Sequence, residues 1–436
     1  MKTMTLFLPK RLRDFGDAAP MIANLLFTDA LLMLTELAGA TILPWWITTS
    51  GGVDAIALFS VAIAIATFIA MPIVSPLGDR YCKATQITRG TWVLSAISLA
   101  LALLSEQGSF HLGVVVALGC VQVVAIAFVD PARSSILAEL VPPNMLPEAI
   151  RLRKTFQSVS GMLGPLLAGL GLSTIGVPGS LFACALLSVV AAISAARLPK
   201  AQSAEQRRDG LIHWWNELRG GLIAKWHMPM ERGWTFVNFV VWIFQGPAVG
   251  MLIPIKVHSL GMSGNWLGIS MGALYLGVLF GSLFGSQFLV DRFGRYRVRL
   301  GIGLLEGVAL AGVGFTANPF LMVVALAVSG FCNSSMSLVG ATHRALAIPK
   351  AFRIRFAAAS SMTTQVAGAI GPAIAGMALY HWSVNAVYGG FGLLMATSVL
   401  GFLWVPRLRE FLNLSHEQIV DWYQHQYPSI FKSSSR

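Results

Sequence analysis

Two carboxylic acids lie within the first long apolar stretch of the chain, where ionisable side chains are rare. Asp29 and Glu36 are seven residues apart, which places them on one face of a helix, about 10.5 Å apart along its axis. Charged groups in hydrocarbon are costly, and by default they mark an ion pathway or a proton relay. Glu36 lies nearer the middle of the stretch, so we predict that it is the main proton-titrating group, with Asp29 second. The alternative is a neutral, hydrogen-bonded carboxyl that only ties neighbouring helices together.

The composition predicts that membrane-spanning helices position these acids. Of the 436 residues, 55% are hydrophobic and 11% are charged, whereas soluble globular proteins average about 25% charged residues. A membrane-spanning helix uses about 20 apolar residues, and the apolar stretches here are continuous, unlike the alternating strands of a membrane barrel. The composition therefore excludes a soluble fold and a β-barrel, and predicts an all-α polytopic membrane protein.

Twelve apolar stretches bounded by charged or turn residues are predicted to be spans. Spans 1 to 6 fall near residues 21–47, 55–75, 87–104, 111–129, 155–175 and 179–197. Spans 7 to 12 fall near residues 233–257, 265–290, 300–316, 320–341, 356–381 and 386–405. The predicted domains are an N-terminal six-helix bundle (1–198), a cytoplasmic linker with an amphipathic helix (199–232), a C-terminal six-helix bundle (233–405) and a cytoplasmic tail (406–436).

The basic residues predict the orientation of the spans. Of the 31 Lys and Arg residues, all but Lys256 lie at the termini, in the linker or near the loops that follow even-numbered spans. Cationic loops are retained on the cytoplasmic side, so both termini are predicted to be cytoplasmic. The net charge of +12 is thereby explained by topology, and no nucleic-acid partner is expected.

The two halves carry the same short motifs at equivalent places. Residues 160–169 of span 5 read SGMLGPLLAG, and residues 367–376 of span 11 read AGAIGPAIAG, an offset of 207. The loop after span 2, GDRYCK at 78–83, is matched after span 8 by VDRFGR at 290–295. Two six-helix halves with matching motifs predict parallel repeats about an axis along the membrane normal, an architecture of alternating-access transporters.

These motifs resemble the major facilitator superfamily across essentially the whole chain. The two loops are degenerate copies of that family's D-R-x-G-R/K signature, at symmetric positions. The stretch DPARSS at 130–135, followed by ELVP at 139–142, is similar to a branch that includes the enterobactin exporter and macrolide efflux proteins, with lysophospholipid transporters a step further away. The resemblance implies a multi-pass transporter of the bacterial inner membrane, with twelve helices in two pseudo-symmetric bundles.

The resemblance also implies a gating latch. In the family the loop aspartate joins a charge cluster with the basic residue four positions on and an acid near the inner end of span 4. Charges at a helix end are tolerated when they are paired. The second half has no acid at the place equivalent to that of span 4, which predicts a one-sided latch. The expected latch residues are Asp79, Arg80, Lys83, Asp130, Arg133, Asp291, Arg292 and Arg295.

Two further groups of residues are expected from the family's organisation. The Gly-Pro pairs Gly164–Pro165 and Gly371–Pro372 predict helix kinks, for which an antiport-specific role and close helix packing both remain open. Spans 1, 4, 7 and 10 line the central cavity in the family. Polar, aromatic and Met side chains of these spans are expected to contact the substrate: Gln122, Asn238, Trp242, Gln245, Asn333 and Met336.

Three polar or amphipathic features are given structural roles at the sequence level. Glu306 in span 9 is expected to be structural or to snorkel, and Lys256 is expected to snorkel to water at the outer mouth or to attract an anionic substrate. The amphipathic helix of the linker is expected to lie on the bilayer surface. The apolar tail residues are expected to anchor there as well: Leu408, Phe411, Leu412, Ile419 and Trp422.

Together these patterns predict an exporter rather than an enzyme. The chain has no Gly-Lys pair for a nucleotide-binding loop, and its His and Cys residues lack metal-ligand spacing, so no metal or other cofactor is expected. We predict a monomer, surrounded by membrane lipids, that exports a small amphipathic organic molecule, either a drug or a siderophore-like metabolite, in exchange for protons. The alternatives are a lysophospholipid or lipid transporter, and a non-transporting membrane sensor or scaffold.

Overall fold

The helices of the first half correspond to the predicted spans. A computed structural model describes residues 18–78, 82–108, 110–140, 146–198, 211–349, 352–414, 418–419 and 421–431. Spans 1 and 2 form one helix, Ala18–Gly78, interrupted at Gly52, whose φ of 76° is readily adopted by glycine because it has no β-carbon. Spans 3 to 6 are the helices Lys83–Glu106, Leu112–Leu140, Leu146–Thr174 and Gly176–Ala195.

The second half begins with the linker helix, Leu211–His227. Span 7 has two parts, Pro229–Val249 and Leu252–Ser259, and span 8 runs as Gly264–Phe280, a π-helical turn Gly281–Gly285, and Ser286–Phe293. Spans 9 to 12 are Arg295–Phe315, Pro319–Ala347, Arg353–His381, and Val384–Val399 with a 3₁₀ turn Leu400–Trp404. Three short tail helices follow: Leu408–Asn413, Trp422–Gln426 and Pro428–Phe431.

Ten stretches of the described chain are long and apolar enough to cross a membrane. The first of them, Met21–Ala70, contains spans 1 and 2. Span 5 is not among the ten, because its helix begins with charged residues and continues with many Gly, Ser and Pro residues. The described helices thus cover all twelve predicted spans, with spans 1 and 2 as the two parts of one kinked helix, and over the described ranges no strand occurs.

The chain divides into two compact units. Unit 1 contains residues up to Leu211 together with Met262–Gly272, and unit 2 contains Ile212–Gly261 with Ala273–Arg436. Within unit 1 the helix of spans 1 and 2 packs against spans 4, 5 and 6. Within unit 2 span 9 packs against spans 10 and 12, and span 7 packs against spans 11 and 12.

The repeated Gly-Pro motif produces the same close packing in each unit. A β-carbon at Gly164 would lie 2.9 Å from the carbonyl oxygen of Leu34, so span 5 approaches the backbone of span 1 closely. A β-carbon at Gly371 would lie 2.4 Å from the carbonyl oxygen of Ile243, so span 11 approaches span 7 in the same way. Small residues at these positions therefore allow close helix packing. The antiport-specific role of the motif stays a prediction.

The tail does not anchor in the bilayer as expected. Its apolar side chains are buried within unit 2, where the ring of Phe411 lies 6.2 Å from that of His343 and the ring of Tyr423 lies 6.2 Å from that of Phe356. The backbone N–H of Asp421 donates to the carbonyl oxygen of Leu346 at 3.1 Å. Apolar residues at helical spacing require an apolar partner, and here that partner is protein instead of lipid.

Candidate functional site

Arg133, in span 4, is the centre of a cluster of charged side chains in unit 1. Its Nε donates to Asp29 Oδ1 at 2.8 Å, and its Nη1 donates to Glu36 Oε1 at 2.8 Å and to Asp130 Oδ1 at 3.1 Å. The Arg133 side chain is 5% exposed, so water screens these ion pairs little. A guanidinium has five N–H donors in fixed directions, which allows one arginine to hold three carboxylates.

Span 5 holds Asp29 from a second side. Arg153 Nε donates to Asp29 Oδ2 at 2.8 Å, and Gln157 Nε2 donates to the same oxygen at 3.0 Å. Ser160 Oγ, on the same helix, donates to the carbonyl oxygen of Ala30 at 3.0 Å. Arg153 and Gln157 are not among the site residues predicted from the sequence. The i, i+4, i+7 spacing of Arg153, Gln157 and Ser160 is the signal that identifies a polar face on this helix.

The members of the cluster are held unequally. Among the described side chains, its three carboxylates share two guanidiniums, so these five groups carry one more negative than positive charge when every acid is ionised. Asp29 accepts hydrogen bonds from both arginines. Glu36 pairs with Arg133 alone among the described residues, and it shares the Nη1 donor with Asp130, which is 51% exposed. Of the two acids on span 1, Glu36 is therefore the less firmly held.

The predicted latch of the first half falls partly within this cluster. Asp130 and Arg133 form an ion pair one helical turn apart, and Arg133 connects both to span 1. Asp79 and Arg80 lie outside the described residues, and Lys83, the first residue of span 3, is half-buried. The contact between Asp79 and Asp130 that the family implies stays a prediction.

The corresponding loop of the second half turns at Gly294, whose φ of 77° favours glycine. Asp291 and Arg292 precede this turn and are exposed. Arg295 begins span 9, and its Nη1 lies 3.5 Å from the carbonyl oxygen of Leu414 in the tail. The role of these three charged residues in a latch stays a prediction.

Unit 2 carries amides where unit 1 carries its two intramembrane acids. The close contacts of the repeated Gly-Pro helices pair position 34 with position 243, an offset of 209. The same offset pairs Asp29 with Asn238 and Glu36 with Gln245. Because an amide cannot ionise, the equivalent positions of span 7 cannot bind and release a proton.

Glu306, in span 9, places an acid beside one of these amides. The carboxyl is fully buried, and its Oε1 accepts hydrogen bonds from Gln245 Nε2 and, at 3.2 Å, from Asn333 Nδ2. Its Oε2 has no hydrogen-bond partner, and no cation pairs with it, within the described part of the chain. The expectation that this side chain snorkels is wrong, because it is enclosed by spans 7 and 10. Two predicted substrate-contacting residues, Gln245 and Asn333, meet here instead.

Arg299 lies seven residues before this glutamate on span 9 and is also buried. Its Nη2 donates to Asn238 Oδ1 at 2.9 Å, and its Nη1 donates to the carbonyl oxygen of Met336 at 3.0 Å. The guanidinium lies 4.2 Å from the centroid of the Trp234 ring, whose electron-rich face attracts a cation. Unit 2 thus contains a polar seam between spans 7, 9 and 10, with the arginine two turns from the glutamate.

The remaining predicted cavity residues differ in exposure. Trp242 of span 7 is 38% exposed and Gln122 of span 4 is half-buried, whereas the side chain of Met336 is buried among apolar neighbours of spans 9 and 10. Their assignment to a substrate cavity stays a prediction. Among the described residues, no three His, Cys, Asp or Glu side chains are grouped closely enough to hold a metal ion.

Lys256 does not snorkel to water. Its side chain is fully buried at the end of span 7, where Nζ donates to the carbonyl oxygen of Gly314 at 2.8 Å and to Asn385 Oδ1. Burial of an ammonium group is tolerated when oxygen atoms accept its hydrogen bonds. These contacts tie span 7 to spans 9 and 12.

A second ion-pair group joins the beginning of span 7 to span 10 and the tail. Arg344 donates to both carboxylate oxygens of Glu231, at 2.9 and 2.8 Å, and the Tyr423 hydroxyl donates to Glu231 Oε1. Lys225 of the linker helix donates to Ser360 Oγ at 2.6 Å. Burial, with the charge of Arg344 nearby, lowers the pKa of Lys225 from its ordinary 10.5 to about 8. These side chains hold the linker helix and the tail onto unit 2.

Sequence similarity to one known family extends over both halves of the chain. The sequence pattern that describes the Major Facilitator Superfamily matches residues 25–256 and 234–418, one match for each half. The inner membrane metabolite transport protein YdjE of Escherichia coli (strain K12) is 29% identical over 166 residues, which cover 36% of this chain and 36% of that protein. The match thus spans about a third of this relative.

Solved structures of transporters have the same fold. The nucleoside transporter NupG gives a TM-score of 0.70 at 14% identity, covering 88% of this chain and 99% of that chain. An inward-facing bacterial homologue of the iron transporter ferroportin gives a TM-score of 0.67 at 17% identity, covering 89% of this chain and 99% of that chain. An inward-facing bacterial homologue of the lysosomal transporter Spinster gives 0.65 at 14% identity, covering 93% and 98%. The predicted twelve-helix fold is confirmed. The narrower resemblance to the enterobactin and macrolide branch stays a prediction.

Proposed function

Because the chain belongs to the Major Facilitator Superfamily, a family of transporters that are not enzymes and generally need no cofactor, we propose that it is a proton-coupled exporter. Its substrate is a small amphipathic organic molecule, either a drug or a siderophore-like metabolite, moved by alternating access. The proton gradient supplies the energy, about 2.3 kcal/mol per charge for every 100 mV of membrane potential.

The charge cluster of unit 1 is the observation that carries this proposal. Among the described side chains, three carboxylates share two guanidiniums, so one added proton makes the positive and negative charges of these five groups equal. Glu36 is the acid that takes this proton, because Arg133 is its one described cationic partner and also serves Asp130. Asp29 keeps its charge, since two arginines and an amide hold it.

Protonation of Glu36 would change the contacts between two helices. Arg133 joins span 4 to span 1 through both Asp29 and Glu36. A neutral Glu36 loses the charge-assisted part of its bond, and Arg133 Nη1 then serves Asp130 within its own helix. The proton thus weakens one of the two ion pairs between spans 1 and 4, which is the kind of local change that biases a two-state transporter.

The substrate class is supported by an aromatic side chain of span 7 and by one relative. Trp242 is 38% exposed and offers an aromatic surface, whereas the Asn238 amide is already bonded to Arg299 and to the Trp234 carbonyl oxygen. The relative that matches about a third of this chain is named as a metabolite transport protein. Both facts favour an organic solute over an inorganic ion.

We also propose the topology that the basic residues predict. The protein lies in the bacterial inner membrane as a monomer, with both termini in the cytoplasm. Single cysteines in the tail and between spans 1 and 2 would be labelled by an impermeant maleimide from opposite sides. Labelling of both positions from the same side would contradict this topology.

The coupling assignment is tested in proteoliposomes that contain the purified full chain. A panel of a catecholate siderophore, a macrolide, a nucleoside and a lysophospholipid identifies the substrate by counterflow, which needs no proton gradient. Glu36→Gln should retain counterflow and lose uphill, gradient-driven transport. Glu306→Gln is the matched control, because it makes the same substitution at a buried glutamate of unit 2 and should keep coupling.

Each other outcome refutes part of the proposal. Coupled transport by the Glu36→Gln protein would refute the role of Glu36, and loss of coupling only in Glu306→Gln would place the proton site in unit 2. Counterflow of the lysophospholipid alone would favour the lipid-transporter alternative. Absence of counterflow with every compound that binds the protein would favour a sensor or scaffold.

A further inference from the structure

A groove of about 600 Å³ lies in unit 2 where the linker helix meets the beginning of span 7 and the end of span 12. This volume is within the range of about 300–1,000 Å³ that is typical of ligand pockets. We call it the linker groove. Its walls include Leu222, Lys225 and Trp226 of the linker helix, Arg232, Thr235 and Phe236 of span 7, and Trp404 at the end of span 12.

The local sequence explains why a groove forms at this place. The linker helix ends at His227, Met228 has an extended backbone, and span 7 starts at Pro229, so the two helices are not continuous. The linker helix is held against span 11, since a β-carbon at Gly221 would lie 2.1 Å from the Arg355 carbonyl oxygen. At the other side Gly233 lets the end of span 12 approach span 7. The groove between them is therefore a fixed feature of unit 2.

The groove is lined by exposed aromatic side chains and by two cations, of which Lys225 is buried and Arg232 is exposed. Phe236 and Trp404 are 66% and 78% exposed and lie near one end of helices long and apolar enough to cross a membrane, where aromatic rings are typical of the bilayer interface. The guanidinium of Arg232 lies 5.6 Å from the centroid of the Trp226 ring. Lys225 contributes the second cation, and no acidic residue is part of the described lining.

One polar atom of the groove has no partner within the protein. The hydroxyl of Thr235 is buried and makes no hydrogen bond within the described residues. A buried hydroxyl without a partner is unfavourable, so a ligand that accepts its hydrogen bond is stabilised. The same ligand has to be negatively charged to match the two cations, and has to carry apolar chains to cover the exposed rings.

We propose that the linker groove is a binding site for an anionic phospholipid. The phosphate lies between Arg232 and Lys225 and accepts the hydrogen bond of Thr235, and the acyl chains run along Phe236 and Trp404. A guanidinium fork matches two phosphate oxygens, whereas an ammonium acts as a point charge. Because the linker helix forms one wall, the bound lipid fastens this helix to span 7.

Native mass spectrometry of the delipidated full chain in detergent tests this site. Phosphatidylglycerol should bind more tightly than phosphatidylcholine, whose headgroup carries no net charge. Arg232→Gln should weaken phosphatidylglycerol binding by roughly fivefold, the effect of one cation near a lipid surface. Arg232 is exposed, so this substitution leaves the fold intact, and Lys225→Gln should add a further loss of similar size.

Arg297→Gln is the matched control, since this exposed arginine of unit 2 does not line the groove. An equal loss in Arg297→Gln would show that general surface charge attracts the lipid, which overturns the proposal. Equal affinity for both phospholipids would overturn it as well. Competition by inorganic phosphate at similar concentration would show a site for a soluble anion instead. Binding is measured without transport, so the result is independent of the proposed exporter function.

Discussion

Replacing Arg133 by Gln should strongly destabilise unit 1, because this residue neutralises carboxylates on two helices. At an effective dielectric constant of about 20, one ion pair at the observed 2.8 Å corresponds to roughly 6 kcal/mol of attraction before desolvation is subtracted. Removing one partner of a buried pair costs about 3–5 kcal/mol, because the other charge stays buried and unpaired. Asp29 would keep Arg153, whereas Glu36 would lose its described cationic partner.

A double-mutant cycle separates this effect from simple loss of packing. Glu36→Gln alone should destabilise the protein by only about 1 kcal/mol, since Arg133 keeps Asp29 and Asp130 and the amide oxygen still accepts a hydrogen bond. Adding Glu36→Gln to Arg133→Gln should restore about 2 kcal/mol or more, because the unpaired charge is gone. The destabilisation by Arg133→Lys should be smaller than that by Arg133→Gln and larger than that by Glu36→Gln, because one ammonium replaces three directed hydrogen bonds.

The assay is equilibrium unfolding of the purified protein in mixed micelles, followed by the near-ultraviolet signal. The coupling free energy between positions 133 and 36 should exceed about 1.5 kcal/mol. Additive effects of the two substitutions would refute the shared ion pair. Equal destabilisation by Glu36→Gln and Arg133→Gln would also refute it, since the two residues would then contribute through packing.

Three other predictions concern unit 2 and use the same unfolding assay. Gly371→Ala should lower the free energy of unfolding by about 1–3 kcal/mol, because its β-carbon would lie 2.4 Å from a carbonyl oxygen of span 7. Gly368→Ala is the control and should have little effect, because position 368 has open space around it. Similar effects of the two substitutions would contradict the packing role of Gly371. Arg344→Gln should lower the free energy of unfolding by about 3–5 kcal/mol, because it leaves the fully buried Glu231 carboxylate without its cation. Arg407→Gln is the control and should cause no measurable change, because Arg407 belongs to an exposed ion pair. An undetectable change in Arg344→Gln would contradict the role of the buried pair. The pKa of Lys225 is about 8 in the folded protein and 10.5 ordinarily, so between pH 8 and 10.5 the unfolded state holds more protons than the folded state. The free energy of unfolding should therefore rise with pH over this range. Lys225→Met should lack that contribution, and an identical pH dependence in both proteins would contradict it.

The helices were predictable because the membrane imposes a simple rule. A span in hydrocarbon has to satisfy its backbone within one helix and present apolar side chains to lipid, so each span is a long apolar stretch in the sequence. Span 5 shows the limit of that rule. Its helix begins at Leu146, well before the apolar stretch near 155–175, and Arg153 of this additional part contacts Asp29 in the interior of unit 1 instead of standing in a loop.

The sequence predicted where the candidate site lies in the chain, but not which side chains contact one another there. The acids of span 1 are conspicuous in hydrocarbon, but nothing local to them indicates that Arg133 joins them, because the partner is about a hundred residues away in the chain. The expectation that Lys256 snorkels, and the snorkelling option for Glu306, are wrong for the same reason. Snorkelling depends on whether a path to water exists, and the neighbouring helices close that path.

The sequence by itself determined the twelve helical spans, the two matching halves and the positions of the intramembrane charges, because hydropathy, repeats and charge are properties of the chain. Only the tertiary structure decided which charges neutralise one another. It placed Arg133 between the acids of spans 1 and 4, Glu306 among amides with no cation among the described residues, and the tail against protein instead of lipid. The physical reason is that ion pairing and burial depend on distances between helices that are remote in the sequence.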